Sequence, residues 1–112
     1  MQKFNSVDEL VNTLRPVDPI YCIRPDSIKS ACGWFKRNFP GKILYAVKTN
    51  PNETVIKHIR ETGIDCFEVA SINEIKLIKR LFPEAHTYYM NSVKSRNIYQ
   101  RLILIIIFVI ML

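Results

Sequence analysis

The sequence has little cysteine, histidine or glycine, and each shortage excludes a class of protein. Its three cysteines are odd in number and far apart, and no C-x-x-C pair accompanies the two histidines, so no disulfide framework and no metal site are predicted. Three glycines and 48% hydrophobic residues exclude a low-complexity chain and indicate a globular domain. We interpret Cys22, Cys32 and Cys66 as small buried thiols in a reducing cytoplasm.

Clusters of basic residues are also missing, although the chain is basic overall. Lysine and arginine outnumber acidic residues by 16 to 10, yet they form no run longer than two. A nucleic-acid-binding surface usually shows a clustered basic patch, so no nucleic-acid partner is predicted. The first residues, MQKFNSVDEL, lack the apolar core of a signal peptide, which again favours a cytoplasmic protein.

The sequence does contain helix starts that alternate with β-rich runs. S-x-x-E capping boxes at residues 6–9 and 71–74 each predict a helix, and Asp26 is predicted to cap another. The β-rich runs predict parallel strands near residues 19–24, 43–48, 65–69 and 86–90. Helices between successive strands indicate right-handed βαβ units, so the predicted fold class is α/β with a parallel sheet.

Two ionisable residues lie near the ends of neighbouring predicted strands. Lys48 ends KILYAVK, and Glu68 is close to the end of DCFEV. Ligands of parallel α/β folds bind at the carboxyl ends of the strands, so we predict that the two residues share one rim. The alternation of side chains along a strand then places Leu44 and Ala46 on the inward face with Lys48, and Cys66 with Glu68.

A lysine at such a rim has a specific chemistry available to it. Desolvation or neighbouring cations ease the loss of its proton, and the neutral amine can attack an aldehyde to form an imine. A carboxylate such as Glu68 could orient the amine or assist proton transfer. The alternative is that Lys48 extends into solvent from a strand end and that Glu68 is a solvated acid.

Three segments resemble motifs of one enzyme family. Y-A-V-K-T-N-P-N at residues 45–52 resembles the Y-A-V-K-x-N-P signature of the alanine-racemase-like, fold-type III pyridoxal-phosphate (PLP) enzymes. F-E-V-A-S-I-N-E-I at residues 67–75 is similar to the F-D-x-A-S-x-x-E-I segment of the ornithine, diaminopimelate and arginine decarboxylases. M-N-S-V-K-S-R at residues 90–96 resembles their H-P-V-K-S-R or N-P-x-K segment. The resemblance to fold-type III PLP-dependent decarboxylases covers about residues 19–96.

The resemblance implies a cofactor, a substrate class and roles for two residues. Lys48 matches the lysine that forms a Schiff base with PLP, and Glu68 matches an acid near the cofactor. The family acts on small amino-acid substrates as a homodimer, and the V-K-S-R ending favours the ornithine/lysine type of polyamine biosynthesis over the diaminopimelate type. Two positions depart from the family, because Glu68 replaces its aspartate and Ser92 replaces its proline.

The length of the chain limits what the resemblance implies. The family has a (β/α)8 TIM-like barrel, which needs about 250 residues, followed by a β domain. We therefore assign residues 1–96 to the N-terminal portion of an incomplete barrel, inactive alone because the family's phosphate loop and partner-subunit residues lie elsewhere. Its inward residues Leu44, Ala46 and Cys66 are then expected to meet water. The alternative is a non-catalytic barrel fragment or interaction module from a decayed gene.

The remaining residues, 97–112, form an apolar tail. Residues 102–112 are eleven consecutive apolar residues, too few to cross a bilayer, which needs about twenty, so no membrane partner is expected. Three interpretations remain open for this run. It is the product of a shifted reading frame, a buried strand or helix, or a membrane-associating or aggregation-prone terminus.

Overall fold

The computed structural model describes residues 2–91, which form helices on a small parallel sheet. The sheet has the strand order β1-β2-β3, and both pairings are parallel. This confirms the predicted α/β class and the pairing of KILYAV beside DCFEV. The helices and the 3-10 turn are α1 (Val7–Leu14), α2 (Pro25–Asn38), the 3-10 turn (Val47–Thr49), α3 (Glu53–Glu61) and α4 (Ile72–Leu81). The strands are β1 (Tyr45–Ala46), β2 (Cys66–Val69) and β3 (His86–Tyr89).

One predicted strand, at residues 19–24, is not formed. This run contains no regular element, and Tyr21 is 72% exposed. Cys22 is exposed here as well, so the prediction of a buried thiol is wrong for it, whereas Cys32 and Cys66 are buried. Within residues 2–91 no neighbouring strand supplies hydrogen bonds to it, and Pro25 begins α2 directly after Arg24. Proline suits the first turn of a helix because its missing N–H has no acceptor there. The helix therefore begins earlier than predicted, and Asp26 lies in its first turn instead of capping it.

The strand predicted at residues 43–48 is also shorter than expected. Extended pairing with β2 ends at Ala46, and the chain then turns through the 3-10 helix that contains Lys48. Val47 is fully buried in this turn, whereas Lys48 is exposed. Burying Val47 against β2 and α3 therefore takes precedence over continuing the strand to Lys48.

Two apolar clusters hold the helices against one face of the sheet. The larger cluster buries Phe67 and Val69 of β2 among residues of α3, α4 and the adjoining segments: Val47, Ile56, Ile75, Ile78 and Ala85. The smaller cluster joins α2 to α3 through Cys32, Val55, Ile59 and Ile64. Tyr45 packs against both clusters, so the residue at the start of the Y-A-V-K motif links the two parts of the core.

The opposite face of the sheet has no helix over it among residues 2–91. Ala46, Glu68 and Tyr88 lie in one row across the three strands. Leu44 and Ala46 are half-buried there, but Cys66 is only 2% exposed. The prediction that Cys66 meets water is therefore wrong. Burial raises the pKa of its thiol, and so does the hydrogen bond that the thiol donates to Asp65 Oδ1 at 3.3 Å.

Both predicted capping boxes are confirmed at the start of α1 and α4. The hydroxyl of Ser6 accepts from Glu9 N at 3.0 Å, and that of Ser71 accepts from Glu74 N at 3.2 Å. The Glu74 carboxylate accepts in turn from Ala70 N at 2.8 Å. Each helix thus satisfies amides that its first turn leaves without intrahelical partners.

Replacing Gly63 with alanine should destabilise the fold, because this glycine has a φ of 87° after α3. An added Cβ would also lie 3.0 Å from Lys36 Nζ, which donates to the Thr62 carbonyl. We expect a loss of about 1–2 kcal/mol in the free energy of unfolding, measured by chemical denaturation. Gly33→Ala in the middle of α2 is the control, and it should leave stability unchanged or raised. Equal effects of the two substitutions would contradict this account.

Two sequence features lie outside the described residues. These are residues 92–96 of the third family motif and the apolar tail, with its three interpretations. Within residues 2–91, no helix is long and apolar enough to span a membrane.

Candidate cofactor site

Lys48 is the central residue of the 3-10 turn that follows β1. Val47 before it is buried in the larger cluster, which fixes the backbone of the turn, while the lysine side chain is exposed. Within residues 2–91 the Lys48 amine has no hydrogen bond or ion pair. It is therefore accessible to an electrophile without breaking an existing interaction.

Glu68 lies on the face of the sheet that no described helix covers. Its backbone is in register with Ala46 on one side and Tyr88 on the other, and Ala46 precedes Lys48 by two residues. The side chain is half-buried, and its carboxylate has no hydrogen bond or ion pair to any described residue. The structure thus places a carboxylate on the strand next to the Lys48 turn without an ion pair between them.

The polar residues after Lys48 fix the shape of the turn. The Tyr45 hydroxyl donates to the Asn50 carbonyl at 3.0 Å, which links the two ends of the turn that carries Lys48. The side-chain oxygen of Asn50 accepts from Asn52 N at 3.1 Å, and that of Asn52 accepts from Thr54 N at 2.9 Å to cap α3. Burial raises the pKa of Tyr45, with smaller contributions from Tyr21 and Cys32, so its hydroxyl keeps the proton that it donates.

An open groove of about 530 Å³ lies beside this turn, lined by Tyr21, Thr49, Asn50, Pro51 and Asn52. The Tyr21 hydroxyl accepts from Asn50 Nδ2 at 2.5 Å. Sequence reasoning missed Tyr21, because it assigned residues 19–24 to a strand. No local pattern identifies this contact, since the two residues are far apart along the chain.

Lys42 is a second lysine beside the uncovered face, and sequence reasoning missed it too. Its Nζ donates to the Tyr88 hydroxyl at 2.5 Å and lies 5.1 Å from the centre of the Tyr88 ring. The hydrogen bond to Tyr88 raises the pKa of Lys42, and Cys66 adds to the increase. The period of two along KILYAVK could have identified it, because residues 42, 44 and 46 share a face of an extended chain.

We expect Tyr88→Phe to lower the pKa of Lys42, because the phenylalanine cannot accept its hydrogen bond. Because the pKa of Lys42 is higher in the folded than in the unfolded chain, its hydrogen bond to Tyr88 stabilises the fold fully at pH values below the unfolded pKa. This stabilisation is lost as the pH rises through the folded pKa of Lys42. Because only the neutral amine reacts, acylation of Lys42 should begin at a lower pH in the variant than in the wild type, as measured by mass spectrometry. Lys57, exposed on α3, is the internal control. An unchanged pH profile at Lys42 would contradict the assignment.

The chemistry of these groups fits the cofactor that the resemblance implies. PLP attaches through its aldehyde, which needs an accessible amine able to lose a proton. Lys48 offers an exposed amine without a hydrogen bond or ion pair among residues 2–91, whereas the Lys42 amine donates to the Tyr88 hydroxyl, which raises its pKa. The half-buried Glu68 provides a carboxylate on the same region of the sheet.

Comparison with known proteins identifies the family. Residues 25–103 match the family model described as "Pyridoxal-dependent decarboxylase, pyridoxal binding domain", which spans more than half of the chain. Neither a curated protein nor a solved structure matches. The match confirms the predicted family and PLP as the cofactor of the domain. It also confirms the barrel-type fold, of which residues 2–91 form an open, N-terminal part. The chain therefore belongs to the pyridoxal-dependent decarboxylases, through their pyridoxal-binding domain.

Proposed function

We propose that this chain supplies the cofactor-attachment part of an amino-acid decarboxylase, with Lys48 as its Schiff-base lysine. One observation favours Lys48 over Lys42 as the lysine that binds the cofactor. Of the two lysines that flank the ILYAV run, Lys42 donates a hydrogen bond to Tyr88, while the Lys48 amine is exposed and has no partner within residues 2–91. Its position in the Y-A-V-K motif agrees with this role.

The residues around Lys48 have separate tasks in this proposal. The 3-10 turn presents the amine, and buried Val47 keeps the turn in place. Glu68 accepts or returns the proton that the Lys48 amine exchanges when it reacts, and the longer glutamate reaches one methylene farther than the family's aspartate. When bound, PLP withdraws the electrons that remain after carbon dioxide leaves the substrate.

The substrate class follows from the family and from one motif. We propose a basic amino acid of the ornithine or lysine type, on the strength of V-K-S-R at residues 93–96. The diaminopimelate type is the second candidate, because the F-E-V-A-S-I-N-E-I segment fits both groups. We also propose that the protein forms a homodimer, as the family does, and that it is cytoplasmic.

We further propose that the 112-residue chain alone does not turn over substrate. Within residues 2–91 the sheet has three strands, and the face that carries Glu68 has no helix over it. A cofactor on Lys48 would then be open to water, which weakens the electrostatic interactions that accelerate such chemistry. We expect no carbon dioxide release from ornithine, lysine or diaminopimelate. Turnover in the range of about 1–10³ s⁻¹ would contradict this proposal.

Titration of the wild-type chain with PLP tests the attachment itself. We expect the visible absorbance of an imine to rise and saturate at one equivalent, and to disappear when borohydride reduces the linkage. A single reactive site saturates, whereas scattered surface lysines react weakly and without a defined stoichiometry. Absorbance that rises without saturation would contradict a dedicated site.

A further inference from the structure

The Lys48 turn is too short to hold itself in place. It is a single 3-10 turn, Val47–Thr49, and the next residues are Asn50 in extended backbone and Pro51, which has no N–H to donate. A turn of this length has few internal hydrogen bonds. The position of Lys48 therefore depends on contacts made by its neighbours.

Asn50 makes those contacts to three different parts of the chain. Its carbonyl accepts from the Tyr45 hydroxyl of β1 at 3.0 Å, and its side-chain oxygen accepts from Asn52 N at the start of α3 at 3.1 Å. Its side-chain nitrogen donates to the Tyr21 hydroxyl at 2.5 Å. All of its side-chain polar atoms are thus engaged, two residues after Lys48.

Tyr21 is the unexpected member of this group. Its ring is 72% exposed and adds little to the core, so packing does not explain its position. Its hydroxyl nevertheless meets the Asn50 amide across 29 residues of sequence. This contact between residues distant in sequence restrains the turn relative to the segment before α2. The contacts of Asn50 with β1 and α3 do not involve that segment.

We propose that Tyr21 is a positioning residue for the Schiff-base lysine, acting through the side chain of Asn50. The hydrogen bond restricts rotation of the Asn50 side chain and so limits the orientations of the turn that carries Lys48. A reactive amine held near its attack geometry reacts faster than one that samples many orientations. This inference rests on the proposed role of Lys48.

Tyr21→Phe tests the inference, because it removes one oxygen from an exposed residue and should leave the fold intact. We measure the rate of imine formation with PLP by stopped-flow absorbance, and the share of borohydride-fixed label at Lys48 relative to Lys57. The rate and the Lys48 share should fall about five- to tenfold, the effect of one lost hydrogen bond. The rate at Lys57 should not change, and the denaturation midpoint should fall by no more than one lost hydrogen bond explains, so that the chain stays folded during labelling.

A double-mutant cycle shows whether Tyr21 acts through Asn50. Asn50→Ala should slow labelling of Lys48 at least as much, and adding Tyr21→Phe to it should have no further effect. Unchanged labelling in Tyr21→Phe, additive effects in the double variant, or an equal loss of rate at Lys48 and Lys57 would each overturn the inference. Equal labelling of all lysines in the wild type would instead refute the proposed role of Lys48. A failure of the Tyr21 inference is therefore distinguishable from a failure of the proposed function.

Discussion

Replacing Phe67 with alanine is expected to unfold the protein. Phe67 is fully buried in the central strand, where it packs in the larger cluster and stacks on Phe82 with ring centres 6.3 Å apart. Removal of such a ring costs about 3–5 kcal/mol through lost burial and the cavity left behind. A small domain has about 5–15 kcal/mol in total, so this loss takes a large share of its stability.

Chemical denaturation followed by far-ultraviolet circular dichroism measures this effect. Phe39→Ala is the matched control, since Phe39 is the same residue type but is 52% exposed just after α2. We expect the control to change stability little, while Phe67→Ala shows no cooperative transition or a much lower midpoint. Similar midpoints for the two variants would contradict the described core.

Replacing Lys48 with alanine should abolish stoichiometric imine formation with PLP. In the proposed role of Lys48 its amine is the bonding group, so the substitution removes the linkage instead of weakening it. Because Lys48 is exposed and has no partner within residues 2–91, the substitution should leave the fold unchanged. The saturable visible absorbance of the wild type should therefore be missing from a variant with the same denaturation midpoint.

Lys42→Ala is the matched control for this experiment. Lys42 begins the same KILYAVK segment, but its ammonium is bound to Tyr88. This variant should retain stoichiometric imine formation. Retention of the absorbance in Lys48→Ala, or its loss in Lys42→Ala alone, would show that the attachment lysine has been misassigned.

Local sequence signals were sufficient to predict most of the elements. Ser6 and Ser71 begin helices because a hydroxyl followed three residues later by glutamate satisfies the free amides of a first turn. The strands at DCFEV and HTYYM were predicted correctly, since each is a short β-rich run between helices. Their parallel order follows from the helical crossovers between them.

Long-range contacts explain what the sequence could not predict. Residues 19–24 have strand composition, but a strand also needs a neighbour, and composition does not supply one. The 3-10 turn at Lys48 depends on burial of Val47 in a cluster built from distant helices. The hydrogen bonds of Lys42 with Tyr88 and of Asn50 with Tyr21 each join residues that only the folded chain brings together.

Site-resolved mapping of the reduced cofactor linkage shows which lysine PLP attaches to. The wild-type chain is incubated with one equivalent of PLP, reduced with borohydride and digested, and the label on each lysine is quantified by mass spectrometry. We expect Lys48 to carry most of the label and Lys42 to carry very little. Label spread evenly over the exposed lysines, or concentrated on any lysine other than Lys48, would contradict it.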